Sequence, residues 1–188
     1  MKINEAKLAS LDACDKDDID IFRCYPNLDD GGAELGGFCR WVASKGKAEY
    51  VFWLLSRLMT PEGATRWAIL AAKRCCADAD WNKWADGWLS GEDRTPESAV
   101  TAVRATEAAE AAVRATEARM SRAAEAAVRA ARAAAWASVH LAQMPWETVW
   151  AADNAAAHAY NAATSTKGKA SEIECQISDA MKIIGKEG

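Results

Sequence analysis

"AEAAVRATEARMSRAAEAAVRAARAAAW", residues 109–136, consists of little more than alanine, arginine and glutamate. A solvated rod, a nucleic-acid grip and a packed helix would each place the rest of the chain differently. Alanine is the strongest helix former, and 18 of the 37 residues from Ala99 to Ala135 are alanine. No glycine or proline interrupts residues 97–143. At about 1.5 Å per residue, one unbroken helix would run about 70 Å, longer than a compact chain of 188 residues can cover. A break is therefore expected near Arg119 to Arg122, with Ser121 capping a new start. "AVRATEA" recurs at 102–108 and 112–118, and "AEAAVRA" at 109–115 and 124–130. These unequal spacings are low-complexity drift and not a solenoid repeat.

At 100° per residue, Arg104, Arg114, Arg119, Arg122, Arg129 and Arg132 fall within an arc of about 140°. Glu107, Glu110, Glu117 and Glu125 lie at its edge or just beyond. Glu110–Arg114 and Glu125–Arg129 are i,i+4 pairs in the favoured order. The acids offset much of the arginine field, and the remaining faces are nearly all alanine. The stretch therefore reads as bundle helix, with an alanine seam inside and an Arg/Glu face outside. An anion-binding role for the arginine face stays open. A coiled-coil seam lacks large residues at sustained heptad positions.

Outward from this stretch, almost every segment reads as helix, and strand alternation is absent. Helices are expected near 3–11, 16–24, 33–44, 47–59, 61–77, 79–89, 96–119, 121–143, 146–164 and 171–184. Thr60-Pro61 and Thr95-Pro96 mark helix starts, as does Pro145, and Ser171 to Glu174 has capping-box spacing. Gly31-Gly32, Gly46, Gly91, Gly168 and Gly185 mark stops. The fold class is all-α: a compact multi-helix bundle with long alanine-rich helices. "PNLDDGG", residues 26–32, sets a small helical N-terminal appendage (1–30) apart from an alanine-rich helical bundle domain (31–188). The segment 47–59 is apolar nearly all round and is expected at the centre.

Nine tryptophans supply the bulk that alanine lacks. The net charge of −4 and pI of about 5.3 argue against general binding to nucleic acid or an anionic membrane. Six cysteines occur without a CxxC pair, so reduced thiols in a cytoplasmic protein are expected. Residues 1–11 carry charges and lack the apolar core of a signal peptide. No apolar run approaches a membrane span of about 18 residues. Two histidines and unsuitable cysteine spacing argue against zinc, and no cofactor or metal is expected.

Catalytic motifs are scarce: GxSxG, P-loop and HExxH patterns are missing. No nucleophile has an evident base, so an enzyme is not expected. Trp136 and His140 share a helical face, as do Asn154 and His158. Each histidine suits a satisfied core position. The sharper reading is a polar pocket built from Arg129, Trp136, His140, Asp153, Asn154 and His158, holding a small polar or anionic ligand. Trp81, Trp84 and Trp88 fall at i, i+3 and i+7, on one face. They read as a core stripe or, with Arg94, as a platform for a partner.

"WAILAAKRCCADADW", "GEDRTPESAVTAVRATEAAEAAVRA", "AAAWASVHLAQ" and "VWAADNAAAHAYNAAT" resemble the Imm-5-like immunity protein family, Ala/Arg-rich helical proteins of bacteria and tailed phages. The Asp-Arg-x-Pro helix start corresponds to Asp93, Arg94 and Pro96. The resemblance implies an all-α fold and a role in conflict between phage, bacterium and competing elements. It supplies no catalytic residues. The expected function is a non-enzymatic binding protein that neutralises a toxin or host-defence component. A small-molecule binder sequestering a nucleotide signal and a structural or assembly protein forming a homo-oligomer are the alternatives.

Overall fold

Two helices, not one rod, carry the alanine-rich stretch. The computed structural model describes residues 1–11, 16–29, 31–115, 122–141, 143–163 and 166–187. Its helices are α1 (Glu5–Ala9), α2 (Lys16–Arg23), α3 (Leu35–Ser44), α4 (Ala48–Leu58), α5 (Pro61–Lys73), α6 (Ala79–Ser90), α7 (Pro96–Ala115), α8 (Arg122–His140), α9 (Pro145–Ala162) and α10 (Thr166–Glu187). Ser121, the expected cap, lies outside the described residues. α7 and α8 pack along each other. α7 is about 30 Å long at 1.5 Å per residue, and the chain between the two spans at most about 3.5 Å per residue. That reach is too short for a return to the far end, so the pair is antiparallel. The same argument makes α8 and α9 antiparallel.

The all-α fold stands, with one small addition. β1 (Lys2–Ile3) pairs antiparallel with β2 (Ala33–Glu34), Lys2 facing Glu34 and Ile3 facing Ala33. Two residues are too few to show alternation in sequence. Phe22 and Tyr25 set their edges against Phe38 at 5.4 and 5.6 Å between ring centres. The N-terminal appendage is thus fastened to the bundle by a strand pair and an aromatic cluster.

Local signals place most helix starts. The Thr60 side chain accepts from Gly63 N at 3.1 Å, with Pro61 in the first turn. Asp93 accepts from Thr95 N at 3.1 Å and from Thr95 Oγ1 at 2.8 Å, and Thr95 Oγ1 accepts from Ser98 N at 3.3 Å. Gly46 and Gly91 end their helices at positive φ, as expected of C-terminal glycines. Gly168 and Gly185 do not act as stops, and Ser171 to Glu174 does not cap. All three features lie inside α10, where the buried row Ile173, Ile177, Ala180 and Ile184 holds the helix through both glycines. One glycine lowers helix propensity by only about 1 kcal/mol, which packing overrides.

α5 takes the central place expected of residues 47–59, since it touches α6, α8, α9 and α10. α4 packs against α3, α9 and α10. Two of the largest buried side chains, Trp67 of α5 and Trp81 of α6, find acceptors for their indole N–H groups on α10 and α8, whereas the buried Trp88 Nε1 has no hydrogen-bond partner among the described residues. Trp67 Nε1 donates to Gln176 O at 3.0 Å, and Trp81 Nε1 to Ala131 O at 3.1 Å. Gln176 Nε2 donates to Ala156 O at 3.0 Å. Among the described residues, no helix is long and apolar enough to cross a membrane.

The seam residues of α8 and α9 are fully or almost fully buried, among them Ala130, Ala131, Ala134, Ala152, Ala155 and Ala156. Ala134→Leu should therefore destabilise the protein by about 1–3 kcal/mol through overpacking. Ala108→Leu, on the exposed side of α7, should change stability by less than about 0.5 kcal/mol. Urea denaturation of both variants checks this, and equal midpoints would show that the seam is not tight.

Candidate functional site

An open groove of about 740 Å³ runs along the outer side of the α8–α9 pair. From α8 it is lined by Arg129, Arg132, Ala133, Trp136 and His140. α9 contributes Trp146, Glu147, Trp150, Ala151, Asn154 and His158, and α7 contributes Glu107. The helical repeat explains this set. Trp146, Trp150, Asn154 and His158 are four apart and form one row. Arg129, Arg132, Ala133, Trp136 and His140 are three or four apart and form the facing row.

Because the helices are antiparallel, the two rows meet in a definite order. His140 Nδ1 lies 3.2 Å from Glu147 Oε2, which sets the register at one end. One helical turn on, Trp136 comes opposite Trp150 and Ala151, then Arg132 and Ala133 opposite Asn154, then Arg129 opposite His158. The groove is aromatic at one end and basic at the other. Along an α-helix this span covers about 16 Å.

The aromatic end is built in a specific way. The His140 ring stacks on Trp136, with centres 5.3 Å apart and planes 16° apart. His140 Nδ1 and Glu147 Oε2 are within ion-pair distance but form no hydrogen bond. Trp136, Trp146 and Trp150 are 37%, 71% and 64% exposed. Large aromatics are seldom so open on a folded chain, and three beside one hollow make this groove the candidate site.

The basic end has its own character. Glu125 takes one of the five N–H donors of the Arg129 guanidinium. Burial lowers the His158 pKa, and the charges of Arg129 and Arg132 lower it further. His158 thus senses a positive field from both arginines. Asn154 Nδ2 donates to Trp150 O at 2.8 Å, which holds its amide midway along the groove.

Five of the six expected ligand residues come together here: Arg129, Trp136, His140, Asn154 and His158. Asp153 does not line the groove. It is adjacent in sequence to Asn154 and so about 100° around the helix from it. It is turned to where Arg57 and Glu49 of α4 act on it, and burial raises its pKa from 3.8 to about 6. Sequence reasoning missed Glu107, Arg132, Trp146, Glu147 and Trp150. The i+4 row running back from His158 to Trp146 was the signal for the two tryptophans.

The Trp81–Trp84–Trp88 face is the core stripe, not an open platform. Trp81 and Trp88 are buried and Trp84 is half-buried, because α6 lays this face on α5 and α7. Arg94 stacks over Trp88 at 4.7 Å, donates to Trp88 O at 3.1 Å and pairs with Glu62 at 2.7 Å. Its contacts serve the fold.

Among the described residues, none that lines the groove is serine, cysteine, threonine or lysine. Its two histidines lie at opposite ends, too far apart to act on one atom. Among the described residues, no group of three or more His, Cys, Asp or Glu side chains is placed to hold a metal ion. In comparison with known proteins, the chain matches no protein-family model, no curated protein and no solved structure.

Two titrations follow, with opposite signs. Folded His158 binds its proton less readily than the unfolded chain does, so it disfavours the folded state as pH falls below about 6.5. Its NMR titration midpoint should lie below 6.5, the ordinary value. Arg129→Gln with Arg132→Gln should raise that midpoint, and no movement would refute the field. Folded Asp153 holds its proton more tightly, so its favourable contribution is full below 3.8 and lost as pH rises through about 6. Asp153→Asn should stabilise the protein by about 1–2 kcal/mol at neutral pH, allowing for solvent screening, and have little effect near pH 4. Denaturation at the two pH values decides it.

Proposed function

We propose that this protein acts by binding rather than by chemistry, and that it takes a small planar anion in the α8–α9 groove. The observation that carries the proposal is the joining of three exposed tryptophans and two arginines in one hollow of about 740 Å³. Indole faces bind planar rings by stacking. Guanidinium groups recognise carboxylate and phosphate oxygens through paired N–H donors. A volume within the usual range of about 300–1,000 Å³ suits a ligand of drug or metabolite size. The lack of a nucleophile among the described lining residues, and the distance between the histidines, favour retention of the ligand over turnover.

In the setting that the resemblance to immunity proteins implies, such a protein would neutralise by sequestering a small effector. A second reading, direct binding of a toxin or defence protein, draws on the exposure of Trp146 and Trp150. A protein partner would use these rim residues as anchors. It would depend little on Arg129 and His158 deeper along the groove.

Isothermal titration with indole-3-acetate, a planar anion, tests the small-molecule reading. Binding is expected, and Trp136→Leu should weaken it by about tenfold, the loss of about 1.4 kcal/mol of stacking. Circular dichroism should show the variant folded. If indole-3-acetate and other planar anions leave no heat signal, the reading fails. If they bind with unchanged affinity to Trp136→Leu, the groove is not their site.

A further inference from the structure

We infer that the ligand is a nucleoside phosphate lying lengthwise in the groove, its base against Trp136 and Trp150 and its phosphate against Arg129 and Arg132. The inference rests on the small-anion reading above and adds the ligand's class and direction.

The order of side chains along the groove carries it. On α9, Trp150, Asn154 and His158 follow each other at four-residue steps, each about 6 Å along the axis. On α8, Trp136 lies one turn from Arg132 and about 10 Å from Arg129. An aromatic platform, an amide and a basic end therefore succeed one another on both walls. A base, a sugar and a phosphate succeed one another in the same order. A ring that carries its carboxylate directly, or one carbon away, can stack at the aromatic end and meet Arg132 one turn on, but falls short of Arg129 about 10 Å along α8. A sugar supplies the missing length. Asn154, anchored through Trp150 O at 2.8 Å, stands where sugar hydroxyls would lie, and an amide both donates to and accepts from hydroxyls.

Charge sets the direction. Glu147 and His140 stand at the aromatic end, 3.2 Å apart. A carboxylate there repels a phosphate and accepts hydrogen bonds from the amino or ring N–H groups of a base. Arg129 and Arg132 stand at the other end. Among the described residues two acids temper them: Glu125 contacts Arg129, and α7, antiparallel to α8, brings Glu107 to this half of the groove. Both arginines nonetheless disfavour the proton of His158, in addition to its burial. The volume of the groove, about 740 Å³, leaves room for a base, a sugar and one or more phosphates, whereas a single-ring acid would leave most of it to water.

The test is isothermal titration of the intact protein with adenosine and guanosine, their 5′-monophosphates and 5′-diphosphates, inorganic phosphate and indole-3-acetate. A nucleotide should bind about tenfold tighter than its nucleoside, the usual worth of a charge-assisted contact. Arg129→Gln with Arg132→Gln should remove that difference. Trp136→Leu should weaken nucleoside and nucleotide alike. Thermal denaturation of each variant separates lost binding from lost fold. A nucleoside that binds as tightly as its nucleotides would overturn the inference, as would a nucleotide whose affinity ignores the arginine pair. Binding of indole-3-acetate without any nucleotide would overturn it and leave the planar-anion reading standing. Silence from every compound would end both.

Discussion

The close approach of α8 and α9 along their alanines is the constraint on which the rest depends. A methyl side chain lets two helix backbones come nearer than leucine would allow, and such an interface has little apolar area per residue. The stability that alanine does not provide comes from elsewhere. Trp67 and Trp81 bury large rings in the core, Trp81 donating its indole N–H to Ala131 O of α8 and Trp67 donating to Gln176 O of α10. Phe52, Leu54, Leu55 and Ile69 add the remaining bulk. The chain thus combines thin helices with thick packing residues supplied by α4, α5 and α6.

The same constraint produces the groove. Where two helices meet through alanine, a tryptophan in the row beside the seam has no room between them. It must project outward, and projecting residues from both helices become walls. Trp136 on one side and Trp146 and Trp150 on the other occupy these rows. The floor between them is small, with Ala133 and Ala151 in the lining. A leucine-based seam would spread the helices, raise the floor and bury the walls. Exposure of three tryptophans is therefore a consequence of the alanine seam, and the composition that first looks featureless is what shapes the site.

Much of this was legible in the sequence, for reasons that differ by element. Helices were readable because caps act locally: Thr60-Pro61, Thr95-Pro96 and Pro145 each start a helix by satisfying or omitting the first backbone donors. Gly168 and Gly185 misled because a glycine stops a helix only when nothing else holds it. The buried isoleucines of α10 do hold it, and they belong to tertiary structure. The groove was legible to the extent that its residues lie on repeating rows, which brought Arg129, Trp136, His140, Asn154 and His158 into one set. Asp153 adjoins Asn154 in sequence, which on a helix means a different face. Glu107 was out of reach, because its place depends on how α7 packs.

The tryptophans of α6 show why hydrophobic patterning alone cannot separate an inward stripe from an outward platform. Trp81, Trp84 and Trp88 share one face by periodicity, and periodicity carries no sign. The sign comes from what lies opposite. α5 and α7 cover that face, so Trp81 and Trp88 are buried. The stripe still bears on the groove, from behind. The Trp81 indole donates to Ala131 O, one residue before Arg132, on the helix that carries Arg129, Arg132 and Trp136. A buried hydrogen bond of this kind resists rotation of α8 about its axis. Rotation by a single residue step of 100° would carry both arginines and Trp136 out of the groove together. The inner stripe and the outer binding row are thus two sides of one requirement: α8 must be thin enough to approach α9 and must not turn.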